Sequence, residues 1–232
     1  MNIDTGFDLK HYLHTRPSEF AKVVDFNRET DQLLRFNFTE TNTLLTPLTI
    51  ADTDLFSEWV EDQLRTSKSR YGIGGYDEHR TIYARSGHFD SEEEPRRLHL
   101  GVDIWGPAGT PVYNPMDASV HSFRFNDHFG DYGATIILKH TLDGHHIHSL
   151  YGHLNLASLA GLQEGQFIPM GNKIAEFGIP AENGHWPPHL HFQLIKDMQH
   201  FKGDYPGVCR FSEKEMYLSN SPDPNDILAF TF

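Results

Sequence analysis

From residue 98 to residue 195 the chain reads as a train of short β-forming runs, each cut off within a few residues by Gly, Pro, Asn or Asp. The runs fall at 112–113, 118–123, 135–140, 146–151, 173–177 and 189–195. None is long enough to carry a helical apolar stripe through several turns. Segments this short and this closely spaced bury their apolar side chains only by pairing with one another, which predicts an antiparallel sheet or sandwich. Asp143 and Gly144, between two of the runs, are residues that accept positive φ, so a tight hairpin is expected there. A second hairpin is expected over 165–178.

The first seventy residues have a different texture. Leu55, Phe56, Trp59, Val60 and Leu64 fall on one helical stripe between 54 and 65, with Asp52 or Thr53 available as the cap. A shorter helix is expected over 18–26, after Pro17. Leu34, Phe36 and Phe38 alternate with polar neighbours and read as a strand. The glycine cluster at 71–76 (YGIGGY) punctuates the chain. It divides an N-terminal α/β extension, 1–70, from a mainly β domain, 71–232. No Lys-Ser/Thr pair follows those glycines, so they do not form a phosphate loop. The acidic run 90–94 reads as a solvated loop, and 221–225 as a turn before a short apolar tail.

A hydrophobic fraction of 38%, with 12% aromatic residues, suffices for a buried core. The net charge of −13 excludes nucleic acid as a partner, because no basic stripe could replace phosphate counterions. It gives no attraction to anionic lipid either, and no apolar stretch approaches the roughly 18 residues of a membrane helix. The start of the chain lacks a basic region followed by an apolar run. A soluble, cytoplasmic protein is expected, or a secreted one had a leader been trimmed. Cys209 is the single cysteine, so no intrachain disulfide forms, and it reads as a small buried hydrophobe. Oligomeric state is open.

Sixteen histidines are present, and spacing decides which of them matter. Residues 98–104 read LHLGVDI and residues 187–193 read PPHLHFQ. Side chains two and four residues apart share a face of a strand. His99 therefore lies beside Asp103, and His189 beside His191, while Leu190 and Phe192 turn to the core. If the two strands are neighbours, three imidazoles and one carboxylate converge. That donor set suits zinc, which takes imidazole and carboxylate at about 2.0–2.2 Å and keeps one position for water at a catalytic site. Three protein ligands suffice, so one histidine is spare for acid–base or oxyanion work. Two histidines and a carboxylate also make the facial triad of non-haem iron oxygenases. A non-hydrolytic metal-containing module that binds a peptide or amine would carry the same ligands. The His-Glu-x-x-His helix is absent, so glutamate is not the expected base. His145, His146 and His148 have no carboxylate at ligand spacing and read as decoration of a strand.

Residues 149–154 (SLYGHL) add His153. His-x-x-x-Asp, then Tyr-Gly-His-Leu, then His-x-His, in this order, resembles the lysostaphin-type (LytM-like) zinc metallopeptidase family. Supporting text lies at 109–112 (GTPV), 131–133 (DYG) and 135–140 (TIILKH), and the resemblance covers roughly 97 to 195. It implies an antiparallel β-sheet metallopeptidase domain with the metal in a groove across the sheet. It implies His99, Asp103 and His191 as zinc ligands and His153 and His189 as catalytic histidines, one taking the water's proton and the other steadying the oxyanion. The substrate implied is a peptide or peptide-like molecule, of peptidoglycan type or short. A further likeness, through 74–80 (GGYDEHR), 183–188 (NGHWPP) and 203–208 (GDYPGV), resembles the peptidase-like segment of certain kinase/aminotransferase fusion proteins, where cell-wall cleavage need not be the task. Arg80, just ahead of the first ligand segment, is expected to clamp a substrate carboxylate as a bidentate donor. Glu78 and His79 are expected beside it on the rim of a narrowed groove.

Overall fold

The computed structural model describes residues 7–87, 89 and 94–231. In chain order the elements are α1 (Leu9–Thr15), β1 (Leu33–Arg35), α2 (Pro47–Ala51), α3 (Thr53–Ser67), β2 (Tyr71–Gly74), β3 (Leu98–His99), β4 (Val102–Trp105), β5 (Pro111–Tyr113) and β6 (Ala118–Asn126). They continue with β7 (Gly133–Leu142), β8 (His145–Leu154), β9 (Phe167–Ile168), β10 (Lys173–Glu176), β11 (His189–Ile195), β12 (Val208–Cys209), α4 (Lys214–Asn220) and α5 (Asn225–Leu228). The architecture is mainly β. One eight-stranded sheet runs β1-β2-β4-β11-β8-β7-β6-β9, and β10 with β5 and β12 with β3 make two small ribbons. Every pairing in the large sheet is antiparallel except β1 with β2.

The β7–β8 hairpin turns on Asp143 and Gly144, both at positive φ, as their chemistry dictates. Strands β9 and β10 do not form the hairpin expected over 165–178. β9 extends the sheet edge beside β6, and β10 pairs with β5. Below the sheet, Val102, Ile104, Leu190, Phe192 and Leu194 alternate away from the site and join one apolar cluster with Ile136, Leu138 and Tyr151.

Helix α3 forms where its stripe predicts. Asp52 caps it, accepting from the backbone of Asp54 and Leu55, and Lys68 ends it in the left-handed region. Phe56 and Val60 are buried, with Trp59 and Leu64 packed beside them. Leu55, read onto the same stripe, is exposed. The helix expected over 18–26 is only a 3-10 turn, Pro17–Glu19. Consecutive β-branched Val23 and Val24 instead lie against the edge of β5, where Val24 bridges Val112 and the Tyr113 amide donates to the Val23 carbonyl. Phe36 and Phe38 are buried as their alternation predicts, although the strand itself ends at Arg35.

The glycine cluster is not a connecting loop. Residues 71–74 are strand β2, buried throughout, between β1 and β4. Gly72 is required because a Cβ there would lie 2.2–2.8 Å from ring atoms of Phe36. Most of the acidic run, Asp90 and residues 91–93, lies outside the described residues. No helix among them is long and apolar enough to cross a membrane.

Candidate metal centre

Strand register assembles the site. Across four adjacent strands, Gly74 of β2 faces Asp103 of β4, Asp103 faces His191 of β11, and His191 faces Gly152 of β8. Glycine at both ends of this row admits neighbours over the sheet, the Arg80 guanidinium at Gly74 and the Tyr132 ring at Gly152. One row away His189 pairs with Trp105, whose indole stacks on it at 3.9 Å and 9°. His99 arrives from β3, which is held by β12 through the Val208–His99 pair.

Three ligand atoms converge: His99 Nε2, His191 Nδ1 and Asp103 Oδ1. Their separations are 2.9, 3.2 and 3.1 Å. The protons lie elsewhere. His99 Nδ1 is 2.9 Å from the Gly75 carbonyl, and His191 Nε2 is 2.9 Å from Gln193 Oε1. Each of those acceptors requires an N–H, so both ring nitrogens facing Asp103 are lone pairs. Gln193 cannot turn over, because its amide nitrogen donates to the Pro206 carbonyl and Ser221 Oγ. Two lone pairs and a carboxylate oxygen, all buried and about 3 Å apart, repel one another unless a cation sits between them. Tetrahedral ligands at about 2.1 Å from an ion stand about 3.4 Å apart, close to this triangle. Among the described residues this is the only group of three or more His, Cys, Asp or Glu side chains close enough to share a metal.

Electrostatics agree. Burial, with the Arg80 charge next, holds His99 down to about 3, a neutral ligand at any working pH. Burial pushes the Asp103 carboxyl up, but the Arg80 guanidinium beside it acts the other way, and the carboxyl is held well below the usual carboxylate range.

Arg80 is completely buried. Nη1 meets Asp103 Oδ2 at 2.5 Å and the Tyr83 hydroxyl at 3.2 Å, Nε meets Glu78 Oε2 at 2.7 Å, and Nη2 donates to Gly75 O at 3.0 Å. The guanidinium thus clamps a side chain of the protein, in place of the substrate carboxylate expected from the sequence. Glu78 is tied up with it, and His79 bridges Leu98 with its ring towards Phe211. None of the three lines the pocket. The rim comes from the residues after them, Ile82, Tyr83 and Phe89, and from 205–208.

The pocket over the triangle has a volume of about 210 Å³, and His153, His189 and His191 line it. The His153 and His189 rings stand 4.1 Å apart. Each points Nδ1 at a backbone carbonyl, Asn183 O and Pro187 O respectively, at 2.7 Å. Asn183 shapes that loop by bonding Gly178 O and both backbone groups of Trp186. Burial lowers His189 to about 4, and burial together with His189 lowers His153 well below its ordinary value.

Two residues were missed in the sequence. Gln193 sits two residues past His191, so the same strand period points it at the ring. Tyr132 lines the pocket 3.4 Å from His191 Nε2, its ring over Gly152, and burial raises its pKa so that it stays a phenol. Its Asp-Tyr-Gly text was visible, but its contact with β8 and β11 was not. Of the second histidine cluster, His145 stacks on Phe7 and His146 bonds Thr141. His148 is buried.

The sequence profile of peptidase family M23 matches residues 97–202. That match takes in 106 of the 232 residues, a little under half of the chain. The stretch contains all three convergent side chains, His99, Asp103 and His191, and both pocket histidines, His153 and His189. Residues 1–96, with Arg80 and α3, lie outside it. The peptidoglycan DD-endopeptidase ShyA of Vibrio cholerae is 30% identical over 154 residues, 60% of this chain and 33% of that protein. An L-Ala–D-Glu endopeptidase of Bacillus subtilis is 31% identical over 107 residues, 44% of this chain and 31% of that protein. The chain therefore spans about a third of the length of these curated relatives. The catalytic domain of lysostaphin from Staphylococcus simulans aligns at 19% identity and a TM-score of 0.40, covering 69% of this chain and 96% of that domain.

Proposed function

We propose that this chain is a zinc-dependent metalloendopeptidase, with His99, Asp103 and His191 as ligands and His153 and His189 as catalytic residues. The observation that carries the reading is the triangle of two imidazole lone pairs and a carboxylate oxygen with no proton left between them. A zinc ion held by these three side chains would supply Lewis acidity for a scissile carbonyl and an attacking water.

The chain's own groups supply the proton handling. His153 and His189 are neutral and hold their Nδ1 protons on carbonyls, so Nε2 of each is an acceptor. Either is therefore equipped to take a proton from a water in the pocket. Steadying an oxyanion needs a donor, which the pair provides only after one ring has been protonated. The Tyr132 phenol is a donor already in hand on the same wall. Trp105, stacked on His189, fixes that ring's plane.

The relatives' names favour peptide bonds of peptidoglycan type as substrate. A short peptide segment of that type is the restricted form of this reading, and a cross-linked polymer the broader one. Purified protein is expected to hold about one zinc per chain by elemental analysis, and His99→Ala or Asp103→Ala to abolish it. Unchanged zinc in both variants would sink the ligand assignment. Cleavage of short wall-type peptides, compared with clearing of intact walls, measures the substrate restriction, and efficient clearing would remove it.

A further inference from the structure

The segment from Gly74 to Arg80 lies outside the M23 match and has no place in the peptidase reading, yet it surrounds the ligand triangle. The Gly75 carbonyl accepts from two donors at once, His99 Nδ1 at 2.9 Å and Arg80 Nη2 at 3.0 Å. Arg80 Nη1 holds Asp103 Oδ2 at 2.5 Å, and Glu78 Oε2 holds Arg80 Nε at 2.7 Å. The space for the guanidinium exists only because residue 74 is glycine: a Cβ there would lie 2.6 Å from Nη2. Phe38 covers the guanidinium on one side, its ring centroid 5.3 Å away.

We infer that Arg80 is a positioning residue for the metal site, which keeps Asp103 a one-oxygen ligand by occupying its other oxygen. With Oδ2 held by the fork, only Oδ1 faces His99 and His191. A carboxylate free to offer both oxygens would fill the coordination position that a catalytic site leaves open for water. The guanidinium also offsets the charge of the buried Asp103 carboxylate from its far side. Glu78 offsets the added charge, and the Gly75 carbonyl, next to the end of β2, holds His99 directly and Asp103 through Arg80. Partners of this kind, one bond beyond the ligands, set metal geometry and affinity.

This inference rests on the metal-site reading above, and the test separates the two. Cobalt(II) replaces zinc in the whole chain, and its visible absorption reports coordination number, four-coordinate cobalt absorbing more strongly than five- or six-coordinate. Zinc affinity is measured alongside by chelator competition. In Arg80→Met the visible band weakens as Oδ2 swings onto the metal, and zinc affinity falls about 10- to 100-fold. Glu78→Gln moves both readings the same way by less. Arg80→Lys, with a charge but no planar fork, recovers part of what methionine loses. Should the methionine variant fail to fold, the Glu78→Gln and Arg80→Lys proteins decide the matter alone. Wild-type band and affinity in the folded Arg80 and Glu78 variants would overturn the positioning role and leave the metal site standing. A wild-type chain that takes up neither cobalt nor zinc would overturn both.

Discussion

His153 is held at φ +63°, in the left-handed region that side chains other than Gly, Asn and Asp rarely adopt. Its amide donates to the Tyr132 carbonyl at 2.8 Å, its own carbonyl accepts from Gly178 at 2.9 Å, and Nδ1 reaches Asn183 O. Three bonds thus hold a strained residue at the pocket, a pattern typical of functional positions. The strain guides the choice of substitution. Asparagine tolerates this conformation better than alanine, so His153→Asn is the cleaner probe of the ring's chemistry. Both His153→Asn and His189→Ala are expected to keep their zinc and to lose turnover by about 100-fold or more, the usual worth of a positioned acid or base. Metal analysis and single-turnover kinetics on the two variants check this. Loss of zinc from His189→Ala would move that residue into the ligand set.

At the scale of elements, what the sequence made legible was whatever depends on local period. β11 runs over the residues predicted for it, and the two-residue strand period put His189, His191 and, unnoticed, Gln193 on one face. Helix α3 was legible for the same reason, since 3.6-residue periodicity and a capping Asp are local facts. Misreadings came where the deciding partner is distant in the chain. The glycines of β2 look like turn residues, yet they exist to admit the Phe36 ring and the Arg80 guanidinium. Arg80 looked free for a substrate because nothing local marks Asp103, its partner from β4. The hairpin expected over 165–178 fails for the same reason, since β9 pairs with β6 and β10 with β5. The close approach at β2 gives a measurable expectation. Gly72→Ala drives a Cβ into Phe36, and overpacking of this kind typically costs about 1–3 kcal/mol. Thermal melting should report it as a clear fall in Tm, and an unchanged Tm would mean that the ring moves aside freely.

At the scale of the molecule, the question is how residues 1–70 stand to the rest. Strand β1 pairs in parallel with β2 and so lengthens the main sheet. Phe36, Phe38 and Phe56 close around Trp105, with ring centroids 6.4, 5.2 and 5.8 Å from it. Trp105 in turn stacks on His189, so an N-terminal apolar layer backs a pocket histidine. Fully burying one such phenylalanine is worth roughly 1.5–3 kcal/mol, and several are involved. Taking this layer away would expose a face of β4 and leave β2 as an open sheet edge, an invitation to aggregation. We therefore expect residues 71–232 alone to be much less stable than the whole chain, with the fluorescence of Trp105 and Trp186 shifted to the red as water reaches them. The whole chain should unfold in one transition, since its two parts share a sheet and a core. Calorimetry and tryptophan emission on the full chain and on 71–232 make the comparison. A fragment that melts where the full chain does, with unshifted emission, would show that the N-terminal segment is an independent appendage and not the back wall of the site.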